Sequence, residues 1–238
     1  MVETRQVGAA SVVEGDEART EVDNHADTCL VGRNAHIFQH FGRQVNITGY
    51  DPSLGTVSNQ EIVSAALAYD DPSTGKVMIL ILHQAIHIPT LQHNLICLMQ
   101  LRMNNIRLNE CPKFLADDPT DQTHALTIPT KDEDYLTPLS IHGVTSYFPT
   151  RKPTIQEFEE GHRFELTYES PDWDPQDPAL EEQEAAMTDR LGHVRPTGDR
   201  RKSRIISSVN CENVARTQAQ TVADRTSQCS AVLADISN

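Results

Sequence analysis

The sequence predicts a mainly β protein: a small closed β-structure with one short helix, followed by a largely disordered tail. Three observations lead there. From about Thr20 to Ala116, strand-like apolar runs alternate with Gly- and Pro-containing turns. The hydrophobic share is 38% and the aromatic share 5%, low for 238 residues packed as one body. From residue 171 the chain turns acidic and Pro-rich, then basic, then rich in Ser, Thr and Ala. Such stretches bury too little apolar surface to offset chain entropy.

Residues 1–19 form a polar lead-in. "TEVDNHADTCLVG", beginning at Thr20, reads as strand, loop, strand. "QVNITGYDPSLGTVSNQEIVSAALAY" reads as two strands around a tip, with Gly49, Pro52 and Gly55 supplying the turn chemistry. "DDPSTG" at 70–75 is a second turn. "KVMILILHQAIHIP" is a continuous apolar strand bounded by Pro89. "LQHNLICLMQLRMNN" places Leu91, Leu95, Leu98, Met99 and Leu101 at spacings that allow a short helix. "IRLNECPKFL" returns as a strand. The domain is therefore expected over 20–116, an extension with short strands over 117–175, and an acidic then basic tail over 176–238, with one helix near "DPALEEQEAAMTDRL".

Charge and cysteine usage narrow the function classes. A net charge of −14 argues against wrapping nucleic acid with the whole surface. The basic cluster Arg200, Arg201, Lys202 and Arg204 falls in the solvated tail. Five cysteines lie far apart without C-x-x-C pairs, and the N-terminal stretch lacks an apolar signal-peptide core. No run approaches the roughly 20 apolar residues of a membrane span. The expectation is a soluble intracellular chain, cytoplasmic or nuclear, with reduced thiols and no membrane partner. Cys29 and Cys97 read as small apolar core residues. His36 and His40, and His83 and His87, sit four apart. The second pair lies in a strand-like run and the first lacks the Glu of a helical zinc motif, so no metal site or cofactor is expected.

The chemistry is concentrated at Asp23-Asn24-His25-Ala26-Asp27. Carboxylates beside apolar strand residues are costly unless paired or used. Strand, Asp-x-x-Ala-Asp, then apolar strand resembles the active-site stretch of retropepsin-type aspartic proteases. "AIHIPTLQHNLICLMQL" resembles the end of the protease region in copia-type retrotransposon polyproteins, with Asn94, Leu95, Gln100 and Leu101 at its Asn-Leu and Gln-Leu positions. "PLSIHGVTSYFPTRKPT" resembles the segment that follows in a divergent branch of those elements. The resemblance covers about residues 20–175.

This resemblance implies a retropepsin-like barrel and an aspartic endopeptidase that cleaves polyprotein peptide bonds. Asp23 would be the catalytic carboxylate. Because one chain supplies one such loop, the site implies a homodimer with Asp23 from each copy across a twofold axis. His25, Ala26 and Asp27 would line the substrate, and Gly49, Tyr50 and Gly55 would lie in the flap. Asn24 stands where the family has Ser or Thr, and His25 where it has Gly. The alternatives are a catalytically inactive relic or interaction module that keeps the fold, and a small metal-binding protein that uses the histidines.

Overall fold

The computed structural model describes residues 18–49, 53 and 55–194. They fall in two compact units, the first ending at Trp173 and the second beginning at Asp174.

In the first unit, β1 (Arg19–Asp23) leads through a loop to β2 (Leu30–Val31). Next, β3 (His36–Thr48) and β4 (Thr56–Asp70) form a long antiparallel hairpin whose last pair is Thr48 with Thr56. β3 alternates half-buried and exposed residues, as a strand with one covered face does. β4 begins in solvent and is buried from Ile62 to Tyr69, while β5 (Val77–His87) is buried from Met78 to Ile86. Cover on both faces accounts for their continuous apolar character. The window expected as a short helix divides into β6 (Asn94–Cys97) and α1 (Leu98–Met103). Cys97 closes the junction, its Sγ accepting from the Gln100 N–H.

The chain then forms β7 (Arg107–Asn109), β8 (Ala125–Ile128) and β9 (Tyr135–Pro138), a separate three-stranded antiparallel sheet. A hairpin of β10 (Ser140–His142) and β11 (Thr145–Pro149), then α2 (Ile155–Glu160) and β12 (His162–Glu165), follow.

The main sheet runs β10-β11-β1-β6-β2-β5-β4-β3, with β12 also on β5. Residues beyond 116 thus supply strands to it. β11 pairs antiparallel with β1, and β12 lies parallel to Met78–Ile81 on the β5 edge that also holds β2 at Ile86 and His87. The described residues are mainly β with few short helices, as expected, but they form no closed barrel. The pairing path is open, because β4 beyond Ala66 meets the chain after β11 through one isolated bridge, Ala68 to Arg151, rather than a ladder.

Alternation across β4 and β5 sends Ala65, Leu67, Tyr69, Leu80 and Leu82 into the main core, with Val22, Ile96, Leu101, Phe148 and Leu126. Ala66, Ala68, Ile79 and Ile81 face the other way, beneath Phe158 of α2. Gly161 ends α2 where the chain presses onto the sheet, since a Cβ there would stand 2.7 Å from Ile79 Cγ1. Thr154 and Glu157 form a capping box on α2. Arg151 grips both Glu157 and Asp70 through its guanidinium.

In the second unit, α3 (Pro178–Met187) starts with the Asp177 side chain accepting from Ala179 N–H and Pro178 in the first turn. The helix falls where the sequence places one, so the stretch 176–194 is not without structure. Residues 195–238 of the expected disordered tail, with the basic cluster, lie outside the described residues.

Two carboxyls carry an acid dependence. Burial alone would raise Asp71, but hydrogen bonds from Ser73 and Thr74 in the β4–β5 turn outweigh it and bring the carboxyl down to about 2. Hydrogen bonds from Arg151 hold Glu157 down to about 2. Their ordinary values are 3.8 and 4.5, so the stabilisation they supply is full above those values and drains away as pH falls toward about 2. The thermal midpoint, followed by circular dichroism, should fall across that window, and Asp71→Asn should lower the neutral-pH midpoint and flatten part of the acid slope. Phe148, fully buried and edge-on to Tyr69, is the apolar link between β11 and the core. Phe148→Ala should cost about 3–5 kcal/mol in urea unfolding.

Candidate functional site

Asp23 ends β1 in register with Cys97 of the parallel β6. The chain then crosses β6 and re-enters the sheet on its other side as β2, antiparallel to β6 at Leu30–Leu95 and parallel to β5. The loop over 24–29 is this crossing, and it puts Asp23 and Asp27 beside the β6–α1 segment. Asp23 is half-buried, Ala26 packs on the core, and Asn24, His25 and Asp27 are exposed.

The crossing is held from below. The Cys29 N–H donates to Gln100 Oε1 at 2.9 Å, and the Cys97 N–H to Cys29 Sγ at 3.2 Å. The Ile86 N–H donates to the Cys29 carbonyl at 2.8 Å. Gln100 Nε2 reaches the carbonyls of His83 and Gln84, both at 3.4 Å. Asn94 Oδ1 accepts from the Gly32 N–H at 2.9 Å, where Gly32 passes so close to Leu91 that a Cβ would meet its carbonyl oxygen at 2.2 Å. Gln100 and Asn94 are residues that carry the sequence resemblance, and here both tie β6–α1 to the crossing loop.

Within the loop, Asp23 Oδ1 accepts from the His25 N–H at 2.9 Å. The His25 imidazole turns to Asn24 Oδ1 at 2.6 Å. At the other end, the Asp27 carbonyl accepts from the Trp173 indole N–H at 3.0 Å. Of the expected flap residues, Gly49 follows β3 and Gly55 precedes β4, both exposed and Gly55 with φ +90°, while Tyr50 lies outside the described residues. The hairpin arms are irregular between Ile37 and Gln39, His40 and Gln44, and Val45 and Ile47.

The histidine pairs have other occupations. His40 contacts Glu61 at 3.0 Å, and His83 lies between Ser64 Oγ at 2.8 Å and Glu165 Oε2 at 2.6 Å. Hydroxyl, imidazole and carboxylate in line suggest a nucleophilic triad. Ser64, however, is fully buried and its hydroxyl donates to Gln39, so no substrate carbonyl can reach it. Among the described residues no three His, Cys, Asp or Glu side chains gather as a metal site, and no helix is long and apolar enough to cross a membrane.

Sequence reasoning missed Gln84, Arg43 and Trp173. Gln84 occupies a bulge in β5, where His83 and Gln84 together oppose Ser64 of β4. Its φ is +54°, a left-handed conformation that is unfavourable for a side-chain-bearing residue. The available signal was a polar His-Gln pair interrupting an apolar run. For Trp173 the signal was the single tryptophan of the chain standing inside an acidic, Pro-rich stretch.

Comparison with protein-family models, with curated proteins and with solved structures finds no match to this chain.

Cys29 and Cys97 are buried, as their sequence context predicts, and Cys111 is exposed. Burial pushes both buried thiols up from their ordinary value, and the nearby Asp27 and Asp23 add to the effect at Cys97. Thiolate is the reactive form. Site-mapped alkylation of the native protein should therefore modify Cys111 and leave Cys29 and Cys97 until denaturant opens the crossing loop.

Proposed function

We propose that the chain is the subunit of a retropepsin-like aspartic endopeptidase of a copia-like retroelement, acting on polyprotein peptide bonds as a homodimer. The observation that carries this reading is the crossing loop. A half-buried carboxylate stands at the end of a strand, beside a strand–helix junction that braces the loop through Gln100.

The chemistry needs two such carboxylates. Close together, they cannot both ionise, so one stays protonated. The ionised member takes a proton from water, and the protonated member hydrogen-bonds the scissile carbonyl oxygen. One chain brings one Asp23, so a twofold partner must bring the second. Asp27 would then meet substrate backbone, and the β3–β4 hairpin would close over the peptide and exclude water.

A second reading is a non-catalytic interaction module that keeps this fold. Exposed Asn24 and His25 favour it, since they put an amide and an imidazole where the resemblance implies a hydroxyl and a glycine.

Peptide cleavage at mildly acid pH, with and without a transition-state inhibitor of aspartic proteases, separates the two. The endopeptidase reading expects inhibitor-sensitive cleavage that rises faster than linearly with protein concentration until the dimer saturates. Asp23→Asn should reduce it to background. Cleavage that survives Asp23→Asn removes the dyad mechanism, and absence of cleavage with a stable fold leaves the interaction module.

A further inference from the structure

After β12 the chain does not turn away from the sheet. Thr167 brackets His83, accepting from its N–H at 2.7 Å and donating to its carbonyl at 2.8 Å. Residues 168–173, Tyr-Glu-Ser-Pro-Asp-Trp, then run over Gln84 toward the crossing loop. The Gln84 side chain is 1% exposed as a residue, and this segment meets its amide on both sides. Gln84 Nε2 donates to the carbonyls of Tyr168 and Glu169, each at 3.2 Å, and of Pro171 at 2.7 Å. Gln84 Oε1 accepts from the Trp173 N–H at 2.6 Å and from Arg43 at 2.8 Å. Two contacts read side chains: Arg43 pairs with Asp172 at 3.1 Å, and the Trp173 indole N–H reaches the Asp27 carbonyl at 3.0 Å.

Little of the segment is buried. Residues 169–172 are exposed and only Tyr168 and Trp173 are half-buried. Backbone hydrogen bonds near solvent are each worth about 0.5–1.5 kcal/mol net, and segments held mainly by them open more readily than the core. Gln84 itself is a demanding partner. It is buried, left-handed and equipped to bind several main-chain groups, and without them its amide would be buried and unsatisfied. One amide that meets the carbonyls of 168, 169 and 171 and the N–H of 173 recognises a backbone bent around it, while Arg43 and the Asp27 carbonyl add a preference for an acid followed by an indole.

We propose that Gln84, Arg43 and the Asp27 carbonyl form a peptide-binding groove, which residues 168–173 occupy in cis. Its ligand class is a peptide that bends around the Gln84 amide and carries an acidic residue followed by tryptophan. The proposal deepens the endopeptidase reading by placing part of the substrate-side site, and it rests on that reading only for calling the ligand a substrate. The segment reaches the Asp27 end of the loop, so it acts as a strap that a competing peptide must displace.

The test uses full-length protein and a fluorescein-labelled peptide of sequence 168–173, read by anisotropy. Asp172→Ala with Trp173→Ala weakens the strap, and this double variant should bind the peptide about tenfold or more tightly than wild type, because the tethered competitor is impaired. Adding Arg43→Ala should remove most of that gain. Anisotropy reads binding without cleavage, so failure of the groove and failure of the endopeptidase reading are distinct results. Hydrogen exchange on the unaltered protein is the control that does not depend on a variant folding: the Trp173 N–H, which donates to Gln84 Oε1, should exchange well before the amides of β5. The proposal is overturned if the folded double variant binds no better than wild type, or if the Trp173 N–H exchanges as slowly as the amides of β5.

Discussion

The bulge at His83 and Gln84 is the constraint on which the site depends. A regular β5 would keep its alternation with β4 and leave no backbone carbonyls turned toward α1. The extra residue breaks the ladder opposite Ser64 and presents the carbonyls of His83 and Gln84 to Gln100 Nε2. Gln100 Oε1 is thereby oriented to receive the Cys29 N–H. A left-handed Gln costs roughly 1–2 kcal/mol relative to a relaxed backbone. The hydrogen bonds of its buried amide offset that cost, and they are also what fixes the chain at 168–173. One irregularity thus positions the loop that carries Asp23 and the segment that ends on Asp27.

The loop itself is a topological device. β1 and β2 flank β6 in opposite senses, so the chain must pass over the end of β6 between them. Backbone groups in such a crossing lack ladder partners, and buried ones must be satisfied. Here the polar side chains Gln100 and Asn94 and the weakly accepting sulfur of Cys29 supply partners. Among the described residues neither Asp23 nor Asp27 forms an ion pair, and Asp23 is half-buried while Asp27 is exposed.

Much of the fold was legible because it rests on local signals. The β3–β4–β5 meander follows from apolar runs broken by Gly49, Pro52, Gly55 and "DDPSTG". The strand–loop–strand around Asp23 was legible for the same reason. The β6–α1 boundary was not, since Leu91, Leu95 and Leu98 fit a helical period while Asn94 and Cys97 are fixed by partners distant in sequence. Membership of β11 and β12 in the main sheet was hidden too. Their short runs among Pro and polar clusters look alike whether they pair with each other or with β1 and β5. Trp173 was read as part of a polar tail because composition averages over a segment, whereas its role comes from two hydrogen bonds.

The arrangement of β11 and β12 also bears on how the chain reaches its native state. β1 is among the first described residues, yet one of its two neighbours is β11, and β5 receives β12 on the edge it shares with β2. Both pairings close long loops, and folds dominated by such non-local contacts fold slowly. During synthesis, β1 through α1 emerge with the outer edge of β1 and half of one β5 edge unpaired. Both edges present unpaired backbone groups and the β5 stretch Met78–Ile81 is apolar, which makes the nascent chain prone to strand-to-strand association until residue 165 is available. Yield on expression should therefore be governed by the time the chain spends waiting for its last two sheet strands more than by the stability of the finished fold.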